Sequence, residues 1–157
     1  MLSLNYLKSI LFVNGRPDID GIENKNQVIE VRAGMGGAVK VLQKKDYNAY
    51  FVLEQPERHS FTLRNDGGWH ECTQSIWIME LVSSAEQPED VMERCLQRCE
   101  RLFSIFVNRK DEDDKQLKGW IENNEMNAYA RESGDYVGYE VFVNFRETKN
   151  MEYVPRG

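Results

Sequence analysis

The chain has 157 residues, 41% of them hydrophobic and 29% charged, a globular balance that excludes a disordered chain and leaves room for one domain of ordinary size. Lys and Arg number 20 against 26 Asp and Glu, so at a formal charge of -6 no basic surplus exists to neutralise phosphates, and nonspecific nucleic-acid binding is disfavoured. Three cysteines, an odd number, argue against a disulfide framework and for a reducing, cytoplasmic setting.

In chain order, Leu2, Leu4, Leu7, Ile10 and Leu11 recur at three- and four-residue steps and predict an amphipathic helix that ends near Gly15. The same stretch is apolar enough to suggest a leader, but Lys8 interrupts it and no small-residue cleavage site follows, so export by that route is not expected. Nor does any uninterrupted apolar run approach the ~20 residues of a membrane helix. Residues 16–27, polar with one glycine and a proline, predict a surface loop. From Val28 to Leu42 the pattern is mixed, with Ile29, Val31, Ala33 and Met35 alternating as a strand does and Ala38, Val39, Val41 and Leu42 suiting a short helix.

The run Ala49–Leu53, a turn at Pro56, and alternating Phe61 and Leu63 predict a β-hairpin. "NDGG" at 65–68 signals another turn. "TQSIWIMELV" after it is apolar on both alternating faces, Ile76, Ile78 and Val82 against Trp77, Met79 and Leu81, as in a strand central to its sheet. A long helix follows: Ser84 or Gln87 can cap it, Pro88 suits its first turn, and Glu89 and Asp90 complement the positive end of its dipole. Val91, Met92, Cys95, Leu96, Cys99, Leu102, Phe103 and Phe106 make its apolar stripe, with Arg94, Arg98 and Arg101 outside. The charged "NRKDEDDKQLKG" leads to a second hairpin, "EMNAYAR", "ESGD" and "YVGYEVFVNFRE", in which Val137, Tyr139, Val141, Val143 and Phe145 share a face. A tail with Pro155 is expected to be loose from about residue 148. This order predicts one domain over residues 1–157 of the α+β class, an antiparallel sheet with two main helices packed on one face.

Candidate chemistry is sparse. Cys95 and Cys99, one helical turn apart, could hold a metal, but both sit in the apolar stripe, where cysteine acts as a small hydrophobe. A zinc site would need further ligands from Cys72, His70 and His59, which lack the paired close spacings of structural zinc sites. "HEC" at 70–72 puts His70 and Cys72 on one side of a strand, with His59 across the hairpin; no third group is identifiable to orient a base and nucleophile, and a polar strand end is the plainer reading. "GMGG" at 34–37 matches neither the phosphate-loop nor the dinucleotide pattern, and "DEDD" at 111–114 lacks the EF-hand spacing. No catalytic residue, metal or cofactor is therefore expected. The last third is rich in aromatics: Trp120, Tyr129, Tyr136, Tyr139, Phe142 and Phe145. Phe142 faces opposite to Tyr139 and Val141, among Glu140, Asn144 and Arg146, either as a contact point or under a helix. Tyr129, Phe142, Asn144 and Arg146 are the candidate interface residues.

The helix, the strand-and-hairpin unit ending in "QSIWIMELVS", the helix begun by Pro-Glu-Asp and the closing strand "GYEVFVNFR" together resemble the small tail-terminator or tail-completion proteins of tailed bacteriophages, over about residues 45–147. The likeness is one of layout, and segment 16–44 departs from it. The resemblance implies a noncatalytic phage or prophage structural protein whose copies form a ring, often a hexamer, that caps the tail tube and meets the head connector, in the host cytoplasm or the virion. Such a ring, built head to tail, needs two different complementary patches on each subunit, for which the aromatic last strand and the acidic loop are the candidates. Two other classes stay open: a protein-binding adaptor using the same aromatic edge, and a small thiol or metal enzyme built on His70, Cys72 and His59.

Overall fold

A computed structural model describes residues 1–32, 46–64, 67–111, 117, 119–120, 126–149 and 155–156. Among these residues two α-helices, α1 (Leu4–Leu11) and α2 (Pro88–Asp111), and a short 3-10 turn (Lys25–Gln27) accompany eight strands. The strands are β1 (Phe12–Val13), β2 (Arg16–Pro17), β3 (Val28–Val31), β4 (Ala49–Glu54), β5 (His59–Arg64), β6 (Gly67–Leu81), β7 (Asn127–Ser133) and β8 (Tyr136–Lys149). Among the described residues β1 and β2 pair only with each other; the main sheet runs β3-β4-β6-β8-β7, with β5 pairing β6 as well. The chain is α+β and its sheet is largely antiparallel, with one departure from the expected layout: β3 lies parallel to β4, Val28 opposite Phe51 and Val31 opposite Glu54. The long connection between those two strands is what allows a parallel pairing, which a tight turn cannot make.

Ser3 caps α1, its hydroxyl accepting from the Tyr6 amide at 3.1 Å, and the helix stops at Leu11, short of Gly15. Asn14 and Gly15 both hold positive φ, 53° and 77°, which turns the chain into the small β1–β2 hairpin instead of extending the helix. The segment 16–27 is less of a surface loop than its polarity predicts. Ile19 and Ile22 are buried, and so is Gln27, whose amide nitrogen donates to the carbonyls of Gly21 and Ala49 at 2.8 and 3.0 Å. Of the ambiguous stretch after it, residues 28–31 are strand; the glycine-rich part beyond 32 and the short helix expected there lie outside the described residues.

The expected hairpin between residues 49–53 and 61–63 is absent. β4 and β5 both pair antiparallel with β6 along the same edge, Ala49 to Glu54 against Glu80 to Ser75 and His59 to Arg64 against Cys72 to Gly67. They form one interrupted strand, and Pro56, which cannot donate a ladder bond, sits in the break. The hairpin is β5–β6. The second predicted hairpin is present as β7–β8, turning at Gly134 with φ 60°.

β6 is the central strand. Its residues Ile76 and Ile78 join Phe51, Leu53, Val137, Val141, Val143 and Phe145 in one cluster with the buried side chains of both helices: Leu7, Ile10 and Leu11 from α1, and Val91, Cys95, Cys99, Leu102 and Phe106 from α2. Met79, alternating with these, packs with Tyr50, Val52 and Tyr136 in a second cluster, against which Trp77 and Leu81 also lie. Along the β6–β8 ladder Gly138 faces Met79, and a Cβ there would fall on the carbonyl oxygen of Ile78.

One arginine departs from the helical-wheel expectation. Arg98 is only 7% exposed: its Nη2 donates to Glu80 Oε1 at 2.7 Å and its Nε to the carbonyl of Asp20 at 2.8 Å. Arg94, half-buried, binds the other Glu80 oxygen. A carboxylate buried inside the sheet needs such partners, and the long arginine side chain reaches over the rim of the helix to supply one. Removing one member of a buried pair strands the other, so Glu80→Ala is expected to cost about 3–5 kcal/mol of unfolding free energy. Urea denaturation checks this; the exposed pair Arg101–Asp18, when broken by Asp18→Asn, should cost under about 1 kcal/mol.

Candidate functional site

β8 alternates strictly, so that Val141, Val143 and Phe145 point to the helices while Glu140, Phe142, Asn144 and Arg146 share the other face. Phe142 belongs to neither hydrophobic cluster, which separates it from the reading that puts it beneath a helix. Across the ladder from it stands Ser75. On the next strand, Tyr129 opposes Glu140 and is 49% exposed; its ring meets Phe142 edge to face with centroids 5.5 Å apart. The guanidinium of Arg131 lies 5.5 Å from the Tyr129 ring centre and its Nε donates to Glu140 at 3.0 Å.

Asn144 and Arg146 continue this row. Asn144 accepts from the Thr73 hydroxyl at 2.6 Å, while Arg146 pairs with Glu71 and lies 5.3 Å from the centre of the Trp69 ring. Tyr129 and Phe142 are thus in contact, and the two polar residues stand farther along β8 on the same face. Of the other aromatics in this part of the chain, Trp120, Tyr136 and Phe145 are core: Trp120 is 2% exposed and packs edge-on against Phe103 and Phe106.

Phe142 and Asn144 line an open groove of about 510 Å³ that sequence reasoning missed. Its charged lining is Glu54, Glu57, Glu71 and Glu140 against Arg58. Glu54 is held by Trp77 Nε1 at 2.9 Å and Ser75 Oγ at 3.2 Å. The signal available was the run of polar residues at 71, 73 and 75, all on one face of β6; the interruption that brings Glu57 and Arg58 beside them was hidden by the hairpin expected there.

On the helix-side face, at the far end of β6, His70 and Cys72 meet His59. His59 lies opposite Cys72 in the β5–β6 register, and its Nδ1 stands 2.7 Å from His70 Nε2. The two imidazoles stack, and Phe61 also stacks on His70, with centroids 4.8 Å apart. Cys72 and His70 are buried and His59 is exposed. Burial pushes the Cys72 thiol up.

Cys95 and Cys99 are elsewhere, both in the core under α2. Burial pushes Cys95 up to about 11 even though the Arg98 guanidinium, contrary to the expected outward orientation, comes within 3.9 Å of its sulfur and pulls the other way. Burial likewise pushes Cys99 up to about 12. Both are thiols at neutral pH, and the desolvation that makes them good core residues makes them poor nucleophiles. The acidic run 112–114 and the glycine-rich 34–37 lie outside the described residues.

No protein-family model matches the chain, and no curated protein sequence matches it.

Because burial raises the two helix thiols above the ordinary thiol range, they favour the folded state below that range and lose this contribution as pH climbs toward 11–12. The urea midpoint of the wild type should therefore fall more steeply above about pH 9 than that of a Cys95→Ala/Cys99→Ala variant. Parallel slopes would show that neither thiol is shielded.

Proposed function

We propose that this chain is a noncatalytic structural subunit that works by self-association into a ring, as the tail-terminator and tail-completion proteins of tailed phages do at the head-tail junction. The observation that carries this reading is the pair Tyr129 and Phe142. They put adjoining aromatic rings on an edge strand and its neighbour, beside an open groove, with Arg131 against the Tyr129 ring. Surface aromatics and arginine are the residue types enriched where proteins meet. Among the described residues β7 pairs only with β8, which leaves its other edge to a neighbour's backbone.

A closed ring requires two unlike patches on each subunit. Among the described residues the sheet ends in unlike strands, β7 antiparallel to its neighbour and β3 parallel to its own, and this asymmetry is consistent with a head-to-tail arrangement. A second reading, an adaptor for a basic peptide, draws on the carboxylates Glu54, Glu57, Glu71 and Glu140 that line the groove, of which Glu71 and Glu140 are paired with Arg146 and Arg131. In that case the protein remains a monomer and the groove serves a different chain.

Light scattering across concentration distinguishes the two. The ring reading expects a defined oligomer, and it expects Phe142→Glu to shift the mass toward monomer while circular dichroism and thermal midpoint stay close to wild type. A wild-type chain that stays monomeric at every concentration would overturn it.

A further inference from the structure

We infer that His59, His70 and Cys72 form a site for a transition metal, with zinc the ion the donors suit best. Sequence spacing obscured it, because the third ligand comes from the partner strand of a hairpin and not from a close pair along the chain. The β5–β6 register puts His59 opposite Cys72, and the strand period puts His70 on the same face two residues before it. One donor atom from each residue lies within 4.8 Å of the other two. A tetrahedral zinc with bonds of about 2.0–2.3 Å sets nitrogen and sulfur donors roughly 3.3–3.6 Å apart. The imidazole nitrogens at 2.7 Å are somewhat closer than this, as two rings sharing a proton are, and need only move apart for an ion to enter.

The chemistry of the set is selective. Two imidazoles and one thiolate are borderline-to-soft donors, matched to zinc and its neighbours and poorly to magnesium or calcium. Among the described residues this is the one group of three histidine, cysteine or acidic side chains with donors so placed. Two of the three are buried on strands held by a continuous ladder, so the frame is rigid, while His59 is exposed and gives an ion its way in. Three protein ligands leave the fourth position to solvent.

With both imidazoles neutral, one proton leaves for each metal bound. In the metal-free hairpin one imidazole N–H is donated to the other ring across the 2.7 Å gap. On binding, that ring carries its proton on its other nitrogen, both facing lone pairs turn to the metal, and the Cys72 thiol gives up its proton to solvent. One metal therefore binds with the net release of one proton. Since β5 and β6 both contribute ligands, occupancy staples the hairpin.

The test uses the full chain, reduced and stripped with chelator, and titrates it with Co²⁺ and then Zn²⁺. The expected result is one Co²⁺ per chain with tetrahedral d–d bands and a thiolate-to-cobalt charge-transfer band, displaced by zinc. Calorimetry in buffers of different ionisation enthalpy should count one proton released. Cys72→Ser should abolish the charge-transfer band, and His59→Gln, at an exposed position, should weaken binding at least about tenfold with an unchanged circular dichroism spectrum. Cys95→Ala should leave the band in place. Failure of the wild-type chain to bind Co²⁺ one to one, or a charge-transfer band that survives Cys72→Ser, would overturn the inference.

Discussion

The strict alternation of β6 is the constraint on which the rest of this structure depends. It pairs with β4 and β5 on one side and with β8 along almost its whole length on the other, from Gly68 opposite Lys149 to Leu81 opposite Tyr136. Because side chains in a strand point alternately to its two faces, one register fixes everything laid on it. One parity supplies His70, Cys72, Gln74, Ile76, Ile78 and Glu80 to the side of the helices. The other supplies Glu71, Thr73, Ser75, Trp77 and Met79 to the opposite side, where the groove and the second cluster lie. A slip of one residue would exchange the two sets and bury Glu71 and Thr73 in an apolar core. That cost is what pins the register.

Along each face the strand also changes character from one end to the other. Its second half, Ile76 to Leu81, is apolar on both sides except at Glu80, whose carboxylate Arg94 and Arg98 neutralise. Its first half is polar, and here the helix-side residues make specific contacts in place of bulk packing. Gln74, fully buried, accepts from the Leu2 amide at 2.6 Å and donates to the Leu2 carbonyl at 3.0 Å, doing for the start of the chain what a neighbouring strand would do. Beyond it come Cys72 and His70. The candidate metal ligands and the candidate contact surface are thus on opposite faces of the same polar half-strand.

Much of this was legible in the sequence because it rests on periodicity. The helix from Pro88, the two-faced strand, the closing hairpin and the outward row Phe142, Asn144 and Arg146 all follow from apolar spacing and turn residues, which act locally. What was not legible depends on partners distant along the chain. The break at Gln55–Arg58 looks like a turn by composition, and only pairing with β6 shows that the strand resumes in the same direction. Arg98 looks solvent-facing on a wheel, and only the position of Glu80 explains its burial. The approach of His59 to His70 was visible in outline, but its distance and the common orientation of the three donors belong to a register that a one-dimensional reading does not supply.

The close approach of the two longest strands at Gly138 has a consequence for how this protein can evolve. The carbonyl of Ile78 occupies the space of a side chain there. Glycine is the only amino acid without a Cβ, so every codon change that alters this residue introduces an atom where backbone already lies. Random drift is closed at that point unless both strands separate, and in any lineage carrying this sheet position 138 should read as a fixed marker by which distant relatives can be aligned.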